Sequence, residues 1–401
     1  MTTRLASRLS AVAPSATFAM AARATKLREQ GHRIFAFGVG EPDFDTPLPI
    51  REAAKKAIDN GVTHYTAVTG TPALKKAICA ATERDRGWAP KPEQIVVSCG
   101  VKHALFNLAL ALYDPGDEVI IPSPYWVSYP EQVRLAGATP VIVPTREEDG
   151  WRLSGEQLAA AITPKTRAII LCTPSNPTGS AYAREHVIEI GAALKKSNDA
   201  LLIVDEIYGD LVYDGFKHHS PAALLSDLRD RIIIVDGVSK THAMTGWRIG
   251  WSITTPEVAK ALDIIQGQST TNPSSISQEA AITALTGPRD DFMKMRAEFE
   301  SRRNRMVEGL RSLPGVKCRM PDGAFYALAD VRGLYGLRSG DKVLKTDEDI
   351  AYWLLDVAHV AAVAGTPFGV PGYIRFSYAC SKETIDEGLA AMRRAIEDAK
   401  R

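Results

Sequence analysis

With 401 residues and 45% hydrophobic content, the chain is long enough for two domains, or for one large domain with an appendage, and can bury a sizeable core. Lys and Arg total 48 against 47 Asp and Glu, so neither sign of field dominates; this argues against a general nucleic-acid or membrane-surface binder and leaves small molecules and copies of itself as partners. Five scattered cysteines (Cys79, Cys99, Cys172, Cys318 and Cys380) include no Cys-x-x-Cys pair, which points away from a disulfide framework or zinc site and suits a reducing compartment such as the cytoplasm.

Met1 to Arg28 is basic, rich in Ser and Ala, and free of acids before Glu29, a composition shared by transit peptides and by a mature N-terminal arm with a first helix. No apolar run approaches the roughly 20 residues needed to span a bilayer, so a soluble protein is expected. Ile34-Phe35-Ala36-Phe37 then leads into Gly38-Val39-Gly40-Glu41-Pro42-Asp43-Phe44-Asp45-Thr46-Pro47, a loop dense in Gly, Pro and Asp. A helix follows from about Pro49 to Asn60 with Gly61 as its stop, and a second opens with Thr71 as cap and Pro72 at its first position. The segment between them, His64 to Gly70, is expected to be exposed.

From Gln94 onward, short apolar runs alternate with helical segments. The runs are 95–97, 119–121, 141–143, 168–171, 201–204, 232–235 and 249–253. Continuous apolar strands separated by helices predict an α/β fold with a mostly parallel seven-stranded sheet covered on both faces. Ligands in such sheets sit at the carboxyl ends of the strands. After the first run come Gly100, Val101 and Lys102, leading into a helix from Ala104 to Leu112 whose small-residue start offers free N–H groups to a phosphate. After the second come Tyr125 and Trp126, an aromatic pair able to cover a planar ring. Asn176 follows the fourth, Asp205 and Tyr208 the fifth, and Ser239-Lys240 the sixth, with Arg248 eight positions on.

A lysine at a strand end can act as a covalent amine if it is partly unprotonated, and a fixed arginine nearby both depresses its pKa and binds an anion. The Lys240–Arg248 pair alone is a weak signal, since most such pairs are solvated. Asn176, Asp205, Tyr208 and Trp126 each have a bland explanation too, as turn residue, helix cap, core aromatic and packing. Their convergence on successive ends of one sheet is what marks a site. Near the C-terminus, Tyr373 to Tyr378 reads as a half-buried strand interrupted by Arg375, either a structural salt bridge or a carboxylate receptor.

Taken together, Gly40 to Pro47, His64 to Gly70, Pro124 to Pro130, Asn176 to Gly179, Asp205 to Tyr208, Ser239 to Gly250 and Tyr373 to Tyr378 closely resemble the class I aminotransferases, fold-type-I pyridoxal-phosphate enzymes of aspartate aminotransferase type, in their bacterial subgroup. Pro14-Ser15-Ala16-Thr17 matches an arm of the mature family members and displaces the transit-peptide reading. The resemblance implies pyridoxal 5'-phosphate as cofactor, with Lys240 holding it covalently and moving the substrate's α-proton. Asp205 would sit against the pyridine nitrogen, and Tyr208 and Asn176 on the phenolic oxygen. Ser239, Arg248 and the backbone at Gly100 and Val101 would take the phosphate, Trp126 would cover the ring, and Tyr65 would reach in from the other subunit of a homodimer. Arg375, with the Gly40 backbone, would grip the substrate α-carboxylate.

Two departures stand out. Many family members carry a serine three residues before the lysine, where this chain has Gly237, and Gln266 to Pro273 lacks the arginine that animal-type enzymes lend across the dimer to a side-chain carboxylate. Lys102 is the candidate replacement, within Val101-Lys102-His103-Ala104-Leu105-Phe106-Asn107; the bland alternative is a solvated lysine at a helix start. The expected organisation is a large domain over 47–288 and a small domain formed by 1–46 with 289–401. The expected reaction is transfer of the amino group of L-aspartate to 2-oxoglutarate. A broader aminotransferase taking prephenate, aromatic or kynurenine-type donors is the nearest alternative, and a lyase of the same fold a more distant one.

Overall fold

A computed structural model describes residues 3–14, 16–197, 199–340 and 342–399; Ser15 of the N-terminal motif lies outside them. Each of the seven apolar runs forms a strand of one sheet: β1 (Ile95–Ser98), β2 (Glu118–Ser123), β3 (Thr139–Pro144), β4 (Thr166–Cys172), β5 (Leu201–Asp205), β6 (Ile232–Gly237) and β7 (Gly250–Ile253). Their order is β1-β7-β6-β5-β4-β2-β3, and only β7 runs antiparallel to its neighbours. The runs are continuously apolar because successive residues feed two separate cores. Val96, Ile121, Ile170, Ile203 and Val235 face one; Val97, Ile120, Ile169, Leu202 and Ile234 face the other.

Helices cover both faces. Val101–Leu112 packs on the first, where Ala104, Leu105 and Leu108 are buried, and Pro72–Arg86 on the second, where Leu74, Ala77 and Ile78 are buried. The latter starts as expected, with Thr71 Oγ1 accepting from the Leu74 N–H at 3.3 Å. The former begins three residues earlier than expected, because Gly100 adopts φ +82° and turns the chain directly from β1 into the helix.

The rest of the chain builds a second assembly from both ends. Strands β8 (Tyr326–Asp330) and β9 (Tyr373–Ser377) pair antiparallel, flanked by Lys317–Cys318 and Val363–Ala364. The N-terminal Phe35–Ala36 pairs in parallel with Val360–Ala361, so the loop after it is delivered beside the C-terminal sheet. The 22-residue helix Asp290–Arg311 links the two parts. β9 is buried along its whole length rather than on one face, which corrects the half-buried reading and makes the charge of Arg375 more costly than expected.

Candidate active site

A cavity of about 660 Å³ opens at the carboxyl edge of the large sheet. Gly40, Val101, Lys102, Trp126, Asn176, Asp205, Tyr208, Ser239, Lys240, Arg248 and Arg375 all line it, although they are spread over more than 330 positions of sequence. The antiparallel β7 explains how Arg248 joins them: that strand starts, rather than ends, at this edge, so Arg248, two residues before it, lies beside the ends of the parallel strands.

Lys240 donates from Nζ to the Gly40 carbonyl at 2.6 Å. Burial is the main reason its pKa is lowered to about 8; Glu41 opposes the shift and Arg248 adds to it. The arginine that the sequence pattern credits with that effect is therefore a secondary cause. Asp205 closes β5, and its carboxylate accepts from the Tyr129 hydroxyl at 2.8 Å and from the Ile207 N–H at 3.1 Å. Burial raises its pKa to about 6 against those two hydrogen bonds. Tyr129 is a site residue missed from the sequence, 76 positions from its partner; the signal available was its nearness to the aromatic pair after β2, since it lies in the first turn of the helix Ser128–Leu135 and its ring meets Trp126 edge-on at 5.3 Å. Tyr125, by contrast, turns away to pack on Gly369, so the expected aromatic pair reduces to Trp126.

Arg248 adopts a left-handed conformation at φ +58° and is held by its Nη1 donating to the Thr245 carbonyl at 2.8 Å. Its guanidinium lies where a Cβ on residue 100 would be, 2.6 Å from Nη2, so Gly100 is required both for its positive φ and for this close approach. The Gly100 N–H donates to the Ser98 carbonyl at 2.7 Å, which corrects its expected role as a phosphate donor. The donors at this corner are then the first N–H groups of the helix Val101–Leu112, led by Val101, together with Arg248 and the Ser239 hydroxyl, a set suited to a phosphate.

Gly237 has a steric explanation. It pairs with Gly250, and a Cβ there would sit 2.9 Å from the Ile249 carbonyl oxygen, 3.0 Å from Gly250 Cα and 3.3 Å from a Val101 methyl. Gly237→Ser is therefore expected to lower stability by about 1–3 kcal/mol, measured by denaturant unfolding. An unchanged or raised midpoint would show that the two strands spread freely.

Arg375 is 2% exposed and has no carboxylate partner among the described residues. Its Nη1 donates to Asn176 Oδ1 at 2.9 Å and its Nη2 to the Gly38 carbonyl at 2.8 Å, while Nε has no partner. The guanidinium lies 4.6 Å from the centre of the Tyr326 ring and 4.9 Å from that of Phe368. This rules out the salt-bridge reading among the described residues: the buried charge is held by two neutral oxygens and two ring faces, with one N–H left over. Lys102 stands at the cavity rim with its ammonium 4.9 Å above the Trp126 ring and no acid within ion-pair distance among the described residues. Burial, then Arg248, lower its pKa. Tyr65 is 90% exposed and does not line the cavity of its own chain.

The chain is similar to known proteins over nearly its whole length. The family described as aminotransferase class I and II matches residues 32–392. Among similar proteins, an aspartate aminotransferase of Rhizobium meliloti is 44% identical over 98% of this chain and 96% of its own length. An aspartate/prephenate aminotransferase of Cereibacter sphaeroides is 44% identical over 97% of this chain and 98% of its own. Among solved structures, the Rhizobium meliloti aspartate aminotransferase superposes with a TM-score of 0.96 at 42% identity, covering both chains completely. The Thermus thermophilus enzyme with maleate superposes at 0.92 and 40% identity, over 98% of this chain and all of that one.

Proposed function

The chain belongs to the aminotransferase class I and II family, and from that premise we propose that it uses pyridoxal 5'-phosphate to transfer the amino group of L-aspartate to 2-oxoglutarate, giving oxaloacetate and L-glutamate. The residues present fit the cofactor. Gly100 leaves room for Arg248 beside a helix N-terminus, a buried carboxylate is available for a ring nitrogen, and one amine of lowered pKa stands across from them. Bound there, the cofactor supplies an electron-poor ring that takes up the electrons left on the substrate α-carbon when its proton departs.

Lys240 Nζ would hold the cofactor and is the amine available to take the Cα proton of a bound substrate. Asp205, fixed by Tyr129 and the Ile207 N–H, would keep a proton on the ring nitrogen. Tyr208 and the amide nitrogen of Asn176 would serve the phenolic oxygen, Trp126 the ring, and Val101, Ser239 and Arg248 the phosphate. Arg375 and the Gly40 backbone bind the α-carboxylate. Tyr65, exposed on the loop between two helices, is assigned to the neighbouring active site of a homodimer. The two domains are taken as 47–288 and 1–46 with 289–401. The cysteines of the described residues are all free, which suits the cytoplasm, and among those residues no helix is long and apolar enough to cross a membrane.

One observation carries the substrate class: Arg375 and Lys102 line the same cavity, and neither has an acidic partner among the described residues. Two such cations suit a substrate with two carboxylates. A second reading, a broader dicarboxylate range including prephenate, is favoured by the apolar wall that Phe18, Met20, Ala21 and Ala24 of the N-terminal helix add to the cavity. Kinetics with aspartate, prephenate's amination product and phenylalanine separate the two. Lys102→Met keeps much of the stem and removes the charge, so specificity for aspartate should fall roughly tenfold to more than a hundredfold while phenylalanine is nearly unaffected. Equal losses for both donors, or none for aspartate, would place dicarboxylate selectivity elsewhere.

A further inference from the structure

Tyr326, on β8 of the C-terminal part, touches three of the groups assigned above. Its hydroxyl oxygen lies 2.9 Å from that of Tyr208, in a fully buried pair. Its ring lies beneath the Arg375 guanidinium at 4.6 Å. The same hydroxyl sits 2.9 Å from where a Cβ on residue 40 would be, so the glycine there gives it room. A buried tyrosine hydroxyl needs a partner, and Tyr326 finds its partner in a residue of the cavity wall that also holds Asn176 and Arg375.

Hydroxyl pairs of this kind have a direction. Tyr208 has one O–H hydrogen, and in the proposed function that hydrogen is given to the phenolic oxygen of the cofactor. Its oxygen is then left to accept, and Tyr326 is positioned to donate. A hydroxyl that accepts one hydrogen bond becomes a better donor in the next, because the chain polarises cooperatively in a water-poor setting. We propose that Tyr326 is a positioning residue for transamination: it donates to Tyr208, orients the Tyr208 hydrogen toward the cofactor's phenolic oxygen, and so helps keep that oxygen anionic. The consequence is that a residue from the C-terminal part, stacked on the carboxylate receptor, tunes the protonation of a cofactor held by the large sheet.

The inference rests on the cofactor assignment, and its test keeps the two separable. Tyr326→Phe keeps the ring under Arg375 and removes only the hydroxyl. In the cofactor-loaded protein, the pH at which the visible absorption spectrum changes should rise by about half a unit to one unit, the size of one net hydrogen bond. Tyr208→Phe should raise it further, and the double variant should add nothing to Tyr208→Phe, since both changes lie on one chain of hydrogen bonds. Placing 3-fluorotyrosine at position 326, a more acidic donor of nearly the same shape, should move the transition the other way, which keeps the test informative if Tyr326→Phe does not fold. Binding of maleate should be unchanged within about twofold in Tyr326→Phe. An unmoved transition in both substituted proteins, or additive shifts in the double variant, overturns the inference while leaving the cofactor assignment intact. A Tyr326→Phe protein that loses maleate binding but keeps its transition would assign the hydroxyl to the carboxylate receptor instead. A wild-type protein that shows no such visible spectrum removes the cofactor assignment, and this inference with it.

Discussion

Lys240→Ala protein supplied with pyridoxal 5'-phosphate is expected to show no visible absorption band that borohydride abolishes, and to transaminate at least about 10⁴-fold more slowly than the wild type. Two jobs fall on one atom, so both are lost together. The amine is suited to them by its surroundings: at a pKa of about 8 roughly a tenth of it is neutral at pH 7, whereas a lysine at the ordinary 10.5 has only about three parts in ten thousand. Burial does most of this, and the Gly40 carbonyl 2.6 Å away fixes where the amine points. Lys102 is the other lysine on the cavity wall, and its pKa is lowered too, so it is the natural competitor. It stands over the Trp126 ring, whereas Lys240 is the lysine held on the Gly40 carbonyl, so Lys102 should not substitute. Reduction with borohydride followed by peptide mapping decides between them; a reducible adduct at Lys102 or elsewhere in the Lys240→Ala protein would sink the assignment.

The parts of this site that were plainest in sequence, Asn176, Asp205 and Lys240 among them, follow a run of residues buried on both sides. Val119 to Ile121 or Leu201 to Val204 has no polar face to blur its limits, so the end of each strand, and with it the position of Asp205 or Lys240, could be read directly. Strand direction could not. Gly250 to Ile253 has the same apolar character whichever way it runs, and it is the antiparallel placement of that strand that sets Arg248 at the shared edge. Tyr129 and Tyr326 escaped for a different reason. Each lies in a stretch whose pattern is fully explained by packing, and what distinguishes them is a hydroxyl partner 76 and 118 positions away. The role of Gly100 was misread because the conformation that frees the helix start also turns its own N–H back onto Ser98. Gly237 stood out in sequence only as a departure from the family pattern; the approach of Ile249 and Gly250 shows why a side chain is crowded there.

Arg375→Met should lower kcat/KM by about thirtyfold to several thousandfold for every amino donor, the range for removing one member of a desolvated charge pair. The uniformity matters, because the α-carboxylate is common to all donors, whereas loss of Lys102 is expected to discriminate among them. Stability should respond differently from activity. Breaking a buried ion pair ordinarily costs about 3–5 kcal/mol, since it strands the opposite charge, but among the described residues Arg375 has no acid to strand: its partners are the Asn176 Oδ1 and the Gly38 carbonyl. Both lie on or beside the cavity wall, where water can replace the guanidinium. Methionine is unbranched and still fills the space between the Tyr326 and Phe368 rings, and its substitution removes a buried charge whose pKa is already pulled down by desolvation. The substrate-free variant should therefore unfold within about 1.5 kcal/mol of the wild type, on either side. Denaturant unfolding and steady-state kinetics on the same preparation test this together. A stability loss of several kcal/mol would mean that the arginine serves chiefly to hold the fold, and donors that survive the change would mean that their carboxylate is bound somewhere else.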